Sequence, residues 1–200
     1  MLRRRAGSLG KMALEVAYAC LGERLDVPAV FCSRHGEVTR AIDLLDELVR
    51  GEPLSPTGFG LAVHNASAGL LSIARADRAN HVALAAGAAS IEHGVIEACA
   101  LLADGAPMVL LVAYDAPLPP LLSHFEDCAE QPFAFAWAMV PAAAGGEHTL
   151  RLAWRADSAP AAAAPDAMPG GLEVLRFQLS GDACMERSAE ARRWTWSRDA

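Results

Sequence analysis

His81-Val-Ala-Leu-Ala-Ala86 leads into Gly87-Ala-Ala-Ser90, then into Ile91-Glu-His-Gly-Val-Ile-Glu-Ala-Cys-Ala-Leu-Leu-Ala-Asp104, and Gly105 closes the stretch. The first six residues form a short apolar run ending at a glycine, the pattern of a strand and its exit turn. The last fourteen carry a helical pattern that stops where a glycine can take a left-handed conformation. Met108-Val-Leu-Leu-Val-Ala-Tyr114 follows as a second apolar run, so the segment reads β-α-β. Both runs lack alternation, as expected when helices cover both faces of a sheet. A parallel pair with a right-handed crossover is the default topology. The fold class that follows is α/β, a mainly parallel sheet covered by helices.

Upstream, Ser8 to Leu21 places Leu9, Met12, Ala13, Val16, Ala17 and Cys20 on one helical face. Pro28 to Cys32 reads as a strand, and Ser33-Arg-His-Gly36 as its exit. Glu37 to Arg50 repeats the helical spacing through Val38, Ala41, Ile42, Leu45, Leu48 and Val49, with Gly51 as terminator. After the turn-rich Leu54-Ser-Pro-Thr-Gly58, Asn65 or Ser67 is placed to cap a helix through Leu70, Leu71 and Ile73.

Downstream, Pro117, Pro119 and Pro120 mark a loop. Phe133 to Val140 reads as a strand, and Thr149 to Arg155 as a strand pairing with it. The Ala/Pro-rich residues between Asp157 and Pro169 read as a connector. Gly171 to Ser180 reads as a helix, with a strand as the alternative, and Arg192-Arg-Trp-Thr-Trp-Ser197 as a terminal strand. The organisation expected is a core over residues 1–156, a connector over 157–170, and a less regular C-terminal β/α segment over 171–200 that packs back on the core.

Hydrophobic residues make up 53% of the chain, and alanine accounts for much of this. No apolar run approaches the roughly 18 residues needed to span a bilayer. Met1-Leu-Arg-Arg-Arg5 has the basic start of a signal peptide, but Lys11, Glu15 and Glu23 break the stretch behind it. A cytoplasmic protein that buries apolar surface against a partner is expected. The net charge of −7, without a basic stripe, argues against nucleic acid. Five cysteines, odd in number and widely spaced, suggest reduced thiols rather than a disulfide framework. Cys20, Cys32 and Cys99 read as core residues. No His, Asp and Glu cluster has metal-ligand spacing, His35, Glu37 and Asp43 included, so neither metal nor cofactor is expected.

The segment Ser55-Pro-Thr-Gly-Phe-Gly-Leu-Ala-Val-His-Asn-Ala-Ser-Ala-Gly69, with the Gly87 turn about twenty residues on, resembles the N-terminal half of β-ketoacyl synthases. Arg3-Arg-Arg5, Ser33-Arg-His-Gly-Glu37 and Trp194-Thr-Trp196 support the likeness. It is strongest from about residue 3 to residue 116, and closest to short stand-alone, chain-length-factor-like members of aryl polyene, type II fatty-acid or polyketide gene sets. The resemblance implies a thiolase-like half fold. It implies that the nucleophilic cysteine of active synthases corresponds to Ala88, with Ala89 and Ser90 after it. It also implies that the two decarboxylation histidines belong to a C-terminal half this sequence does not include, and that a strand ordinarily precedes the first helix.

A cysteine at a helix N-terminus is activated by positive potential and free N–H groups. Alanine has no lone pair with which to attack a thioester. The expected role is therefore that of a non-catalytic accessory subunit. Its partner would be a catalytic β-ketoacyl synthase, an acyl carrier protein, or a second copy of itself; the acidic charge favours the synthase over an acidic carrier. The competing reading is a small acyl-transfer or thioester-hydrolysing enzyme using Ser90 or Ser67. Neither serine has the G-x-S-x-G surroundings of a nucleophile elbow, and small residues at a tight turn explain Ala88-Ala-Ser90 without chemistry. His64 and Asn65 are candidates for a channel or interface, as are Glu92 and His93. An unpaired buried carboxylate is unfavourable. Solvent is therefore the default environment for Glu92, with His93 or a partner's arginine as alternatives.

Overall fold

The computed structural model describes residues 5–142, 149–157 and 166–198. Arg3, Arg4 and most of the Ala/Pro-rich connector lie outside the described residues. Among those described, the order is α1 (Ser8–Leu21), β1 (Ala29–Cys32), α2 (Val38–Val49), α3 (Pro56–Gly60), α4 (Ala66–Arg75), β2 (His81–Leu84), α5 (Ser90–Ala103) and β3 (Val109–Asp115). A 3-10 turn at Pro120–Phe125 follows. Then come β4 (Phe133–Met139), β5 (Leu150–Ala156), α6 (Gly170–Ser180), β6 (Cys184–Ala189) and β7 (Arg192–Arg198).

Two sheets form. In the first, of order β2-β1-β3-β4, β1 runs parallel to both β2 and β3, and β4 adds antiparallel to β3. The second is antiparallel, of order β5-β7-β6. The expected mainly parallel, helix-covered sheet is therefore present. Val109 to Asp115 is buried at every position, which explains the unbroken apolar run.

One face of the first sheet packs Phe31, Leu110, Val112 and Tyr114 against Leu9, Ala13, Ala17 and Leu21 of α1 and Ala68 and Leu71 of α4. The other packs Val30, Leu111 and Phe135 against Ile91, Val95 and Ala98 of α5 and Val174 and Phe177 of α6. Trp196 of β7 enters this second core, and Trp194 packs on Ala89 and Ala189. The start of α5 thus meets both sheets.

Three expectations are corrected. Leu150–Ala156 pairs with β7 rather than β4, in the register Leu152↔Trp196 and Trp154↔Trp194. The physical reason is that its apolar face meets the tail's tryptophans, with the Trp154 and Trp194 rings 5.7 Å apart. Cys99 is exposed, not core, because α5 buries Val95 and Ala98 and the next residue is rotated away. At α4, Asn65 stands at the N-cap position without a side-chain cap bond, and Ser67 is buried inside the first turn. The expected glycine stop of α2 is as read, with Gly51 at φ +69°. Gly171–Ser180 lies within a helix, α6, and Pro56 opens α3 beneath a Ser55 hydroxyl that accepts from Gly58 N–H at 3.1 Å.

Among the described residues, α2 and β2 both present open surface. The helix α2 buries none of its residues, and its Leu45, Leu48 and Val49 are exposed, beside exposed Phe59 of α3. Strand β2 is an edge whose four residues are all partly exposed. Among the described residues, no helix is long and apolar enough to cross a membrane.

Candidate functional site

The turn Gly87 to Ser90 connects β2 to α5. Gly87 has φ +52°, a conformation that suits glycine. Ser90 ties the turn together: its hydroxyl donates to Gly87 O at 2.7 Å and accepts from Ala86 N–H at 3.0 Å. With both ends engaged, this hydroxyl holds backbone and is not poised as a nucleophile. Ala89 is fully buried against Trp194. Ser67 is 1% exposed, far from the openness an acyl acceptor needs.

The β6–β7 hairpin closes over this turn. Arg187 of β6 donates from Nη1 and Nη2 to Ala88 O at 3.2 and 3.1 Å. The same guanidinium bonds Glu92 Oε1 at 2.8 Å and Glu173 Oε2 of α6 at 2.8 Å. Trp196 Nε1 adds a bond to Glu92 Oε1 at 3.3 Å. Glu190, at the hairpin tip, accepts from Ala88 N–H at 3.1 Å. Burial alone would lower the Arg187 pKa, but Glu92 and Glu173 hold it above its ordinary range. Glu92 is therefore not solvent-facing, as the sequence suggested, but fully buried on an arginine of its own chain. His93 stands edge-on to Trp194, with ring centroids 5.4 Å apart.

His64 and Asn65 lie elsewhere. His64 Nε2 is 2.9 Å from Ser33 O, and its ring packs against the Gly36 backbone, whereas Asn65 is exposed. The structure thus joins Ala88, Ser90, Glu92 and His93 to the hairpin and leaves His64 and Asn65 apart, between α3 and α4, with His64 against the loop after β1. Between the two regions is a cavity of about 20 Å³, lined by Cys32, Arg34 and Asp115 together with Gly87, Ala88 and Phe133. Its enclosed space is about that of one water.

Residues 1–197 match the family described as Beta-ketoacyl synthase, N-terminal domain. The chain belongs to this family. One chain of the complex between the ketosynthase ApeO and its chain length factor ApeC from Xenorhabdus doucetiae superposes with a TM-score of 0.85 at 28% identity. That match covers 98% of this chain and 79% of the other. A chain of the ishigamide ketosynthase/chain length factor shares the fold at a TM-score of 0.60 and 16% identity, over 77% of this chain and 50% of the other. No curated protein matches.

On the far side of the cavity this β-ketoacyl synthase domain carries a polar cluster that no sequence spacing disclosed. Arg34 bonds Asp115 (3.2 Å), Asp127 (2.7 Å) and Glu130 (2.6 Å), while Ser33 Oγ and Arg34 N–H both donate to Asp115 Oδ1 at 2.9 Å. Burial pushes the Asp115 carboxyl up, although Arg34 and Ser33 pull against it. Asp127, Cys128 and Glu130 bring three possible metal-ligand atoms within 4.8 Å of one another. The guanidinium already satisfies both carboxylates, and burial above all pushes the Cys128 thiol up to about 12, which suits neither a thiolate ligand nor a nucleophile.

Two predictions follow from these contacts. Arg187→Met strands buried Glu92, and urea unfolding should show a loss of about 3–5 kcal/mol; adding Glu92→Gln should recover a good part of it. Burial, then Arg34, holds His35 below its usual 6.5. Its neutral form is therefore favoured in the folded state, and the stability it contributes is lost as pH falls from 6.5 toward the lowered value. His35→Gln should flatten that slope relative to wild type in thermal melts at a series of pH values.

Proposed function

We propose that this chain is a chain-length-factor-like subunit that performs no acyl chemistry itself and pairs with a catalytic β-ketoacyl synthase. The product class is a fatty-acyl, aryl polyene or polyketide chain, and the location is the cytoplasm. One observation carries the reading: residue 88, where the family resemblance implies sulfur, is an alanine in the turn that leads into α5. A methyl group forms no thioester, so condensation through this position is closed.

Three features support a partner-dependent role. Strand β2 leaves one edge of the main sheet open for pairing, and His81-Val-Ala-Leu84 has none of the lysines or prolines that usually blunt an edge. The apolar side of α2 lacks cover within the described residues, as expected of surface completed by another subunit. The Xenorhabdus doucetiae structure with a similar chain is itself a ketosynthase in complex with its chain length factor. The serine-enzyme reading loses ground because the Ser90 hydroxyl is already engaged and Ser67 is buried.

Co-expression with a catalytic β-ketoacyl synthase from the same genome, followed by size-exclusion chromatography with light scattering, tests this reading. The expected result is a one-to-one complex that elongates malonyl-derived units, with no elongation by this chain alone. Absence of a complex at micromolar concentration, or a stable homodimer that ignores the synthase, contradicts it.

A further inference from the structure

We propose that the β6–β7 hairpin is a plug that keeps residue 88 unreactive whatever side chain stands there. The inference rests on the reading that Ala88 occupies the nucleophile position, and goes beyond it: the site is closed twice, by the missing sulfur and by two side chains from the C-terminal hairpin.

Both main-chain polar groups of Ala88 are taken. Its N–H donates to Glu190 Oε1 at 3.1 Å, and its carbonyl accepts both Arg187 Nη groups at 3.1–3.2 Å. Each of these side chains lies where a glycine leaves room. A Cβ on Gly87 would come within 2.1 Å of Glu190 Oε1, and a Cβ on Gly170 within 2.2 Å of Arg187 Nη2. The tip itself is unusual. Glu190 and Ala191 both have positive φ, +51° and +55°, in a two-residue hairpin turn that ordinarily takes Asn-Gly. Two non-glycine residues held there mark a strained turn that its surroundings maintain, and it delivers a carboxylate to the start of α5.

The chemistry of such a closure is direct. A nucleophile at residue 88 would depend on local N–H groups and positive potential to stabilise a thiolate, and on the same donors to receive an oxyanion. A carboxylate on the Ala88 N–H removes that donor, and its charge disfavours a neighbouring anion. The other charged groups around the turn are Glu92 on α5 and, across the small cavity, Arg34 and Asp115. Arg187 faces the carbonyl and is neutralised by Glu92 and Glu173. A subunit closed in this way cannot divert acyl groups from a catalytic partner.

The test restores sulfur with and without the plug. Ala88→Cys and Ala88→Cys/Glu190→Gln are treated with iodoacetamide, and modification at each cysteine is followed by peptide mass spectrometry. Exposed Cys99 and Cys184 serve as reference sites. Cys at residue 88 should react about tenfold or more faster in the double variant, normalised to the reference sites. Equal rates overturn the plug. If a cysteine variant fails to fold, the Ala88 amide of the unaltered protein decides instead. Its exchange with solvent deuterium should be faster in Glu190→Ala, which removes the acceptor; equal exchange overturns the proposal. These results are independent of complex formation, so failure of the plug and failure of the partner reading are told apart.

Discussion

One guanidinium organises the C-terminal part of the molecule. Arg187, about 10% exposed, meets the Ala88 carbonyl, the fully buried Glu92 and the part-exposed Glu173, and so joins β6 to the turn before α5 and to the first turn of α6. Taking such charges from water is unfavourable by several kcal/mol per ion, and only close, multiple contacts offset it. Here Arg187 meets three acceptors, while Glu92 Oε1 receives both Arg187 and Trp196. Glu92 Oε2 has no hydrogen-bond partner among the described residues. An arrangement with a buried acceptor left over is better suited to specifying one docking geometry than to adding stability.

That specificity links the two sheets. The first sheet and its helices form a two-sided core that needs no charge at its centre. The β5-β7-β6 sheet adds tryptophans, and Trp194 and Trp196 are nearly inaccessible to solvent. The Arg187 bonds fix where those rings meet α5. A second arginine, Arg34, plays a parallel part beyond the cavity, bridging the end of β1 to the segment that carries Asp127 and Glu130. Burial would lower the Arg34 pKa, but its bond to Glu130 and the nearby carboxylates raise it, so this charge too is fixed at any ordinary pH. The enclosed space left between the two clusters is about that of one water.

The sequence disclosed the parts whose signals are local. Continuous apolar runs marked β1 and β3, and Leu9, Ala13 and Ala17 marked the buried side of α1. Gly51 and Gly105 stood where helices end, both with positive φ. What stayed hidden depends on distant partners. The strand Cys184–Ala189 escaped notice because Glu186 and Arg187 interrupt its alternation, and Arg187 makes sense only beside Glu92, 95 residues earlier. Glu92 looked like a solvent residue for the same reason. The Arg34 cluster draws acceptors from 81 to 96 residues away, beyond any spacing rule. The α2 pattern was legible as a helix, but its apolar side did not reveal that nothing in the described chain covers it. The Ala88 turn was legible in sequence, and its closure by Glu190 was not, since no pattern marks a hairpin tip aimed at a backbone amide.

In the proposed role this family member contributes surface and holds no acyl group. Intact-protein mass spectrometry after incubation of the isolated chain with acyl-carrier thioesters measures that most directly. The predicted result is an unchanged mass at every time point. An added acyl mass mapped to Ser90, Ser67 or a cysteine would contradict it.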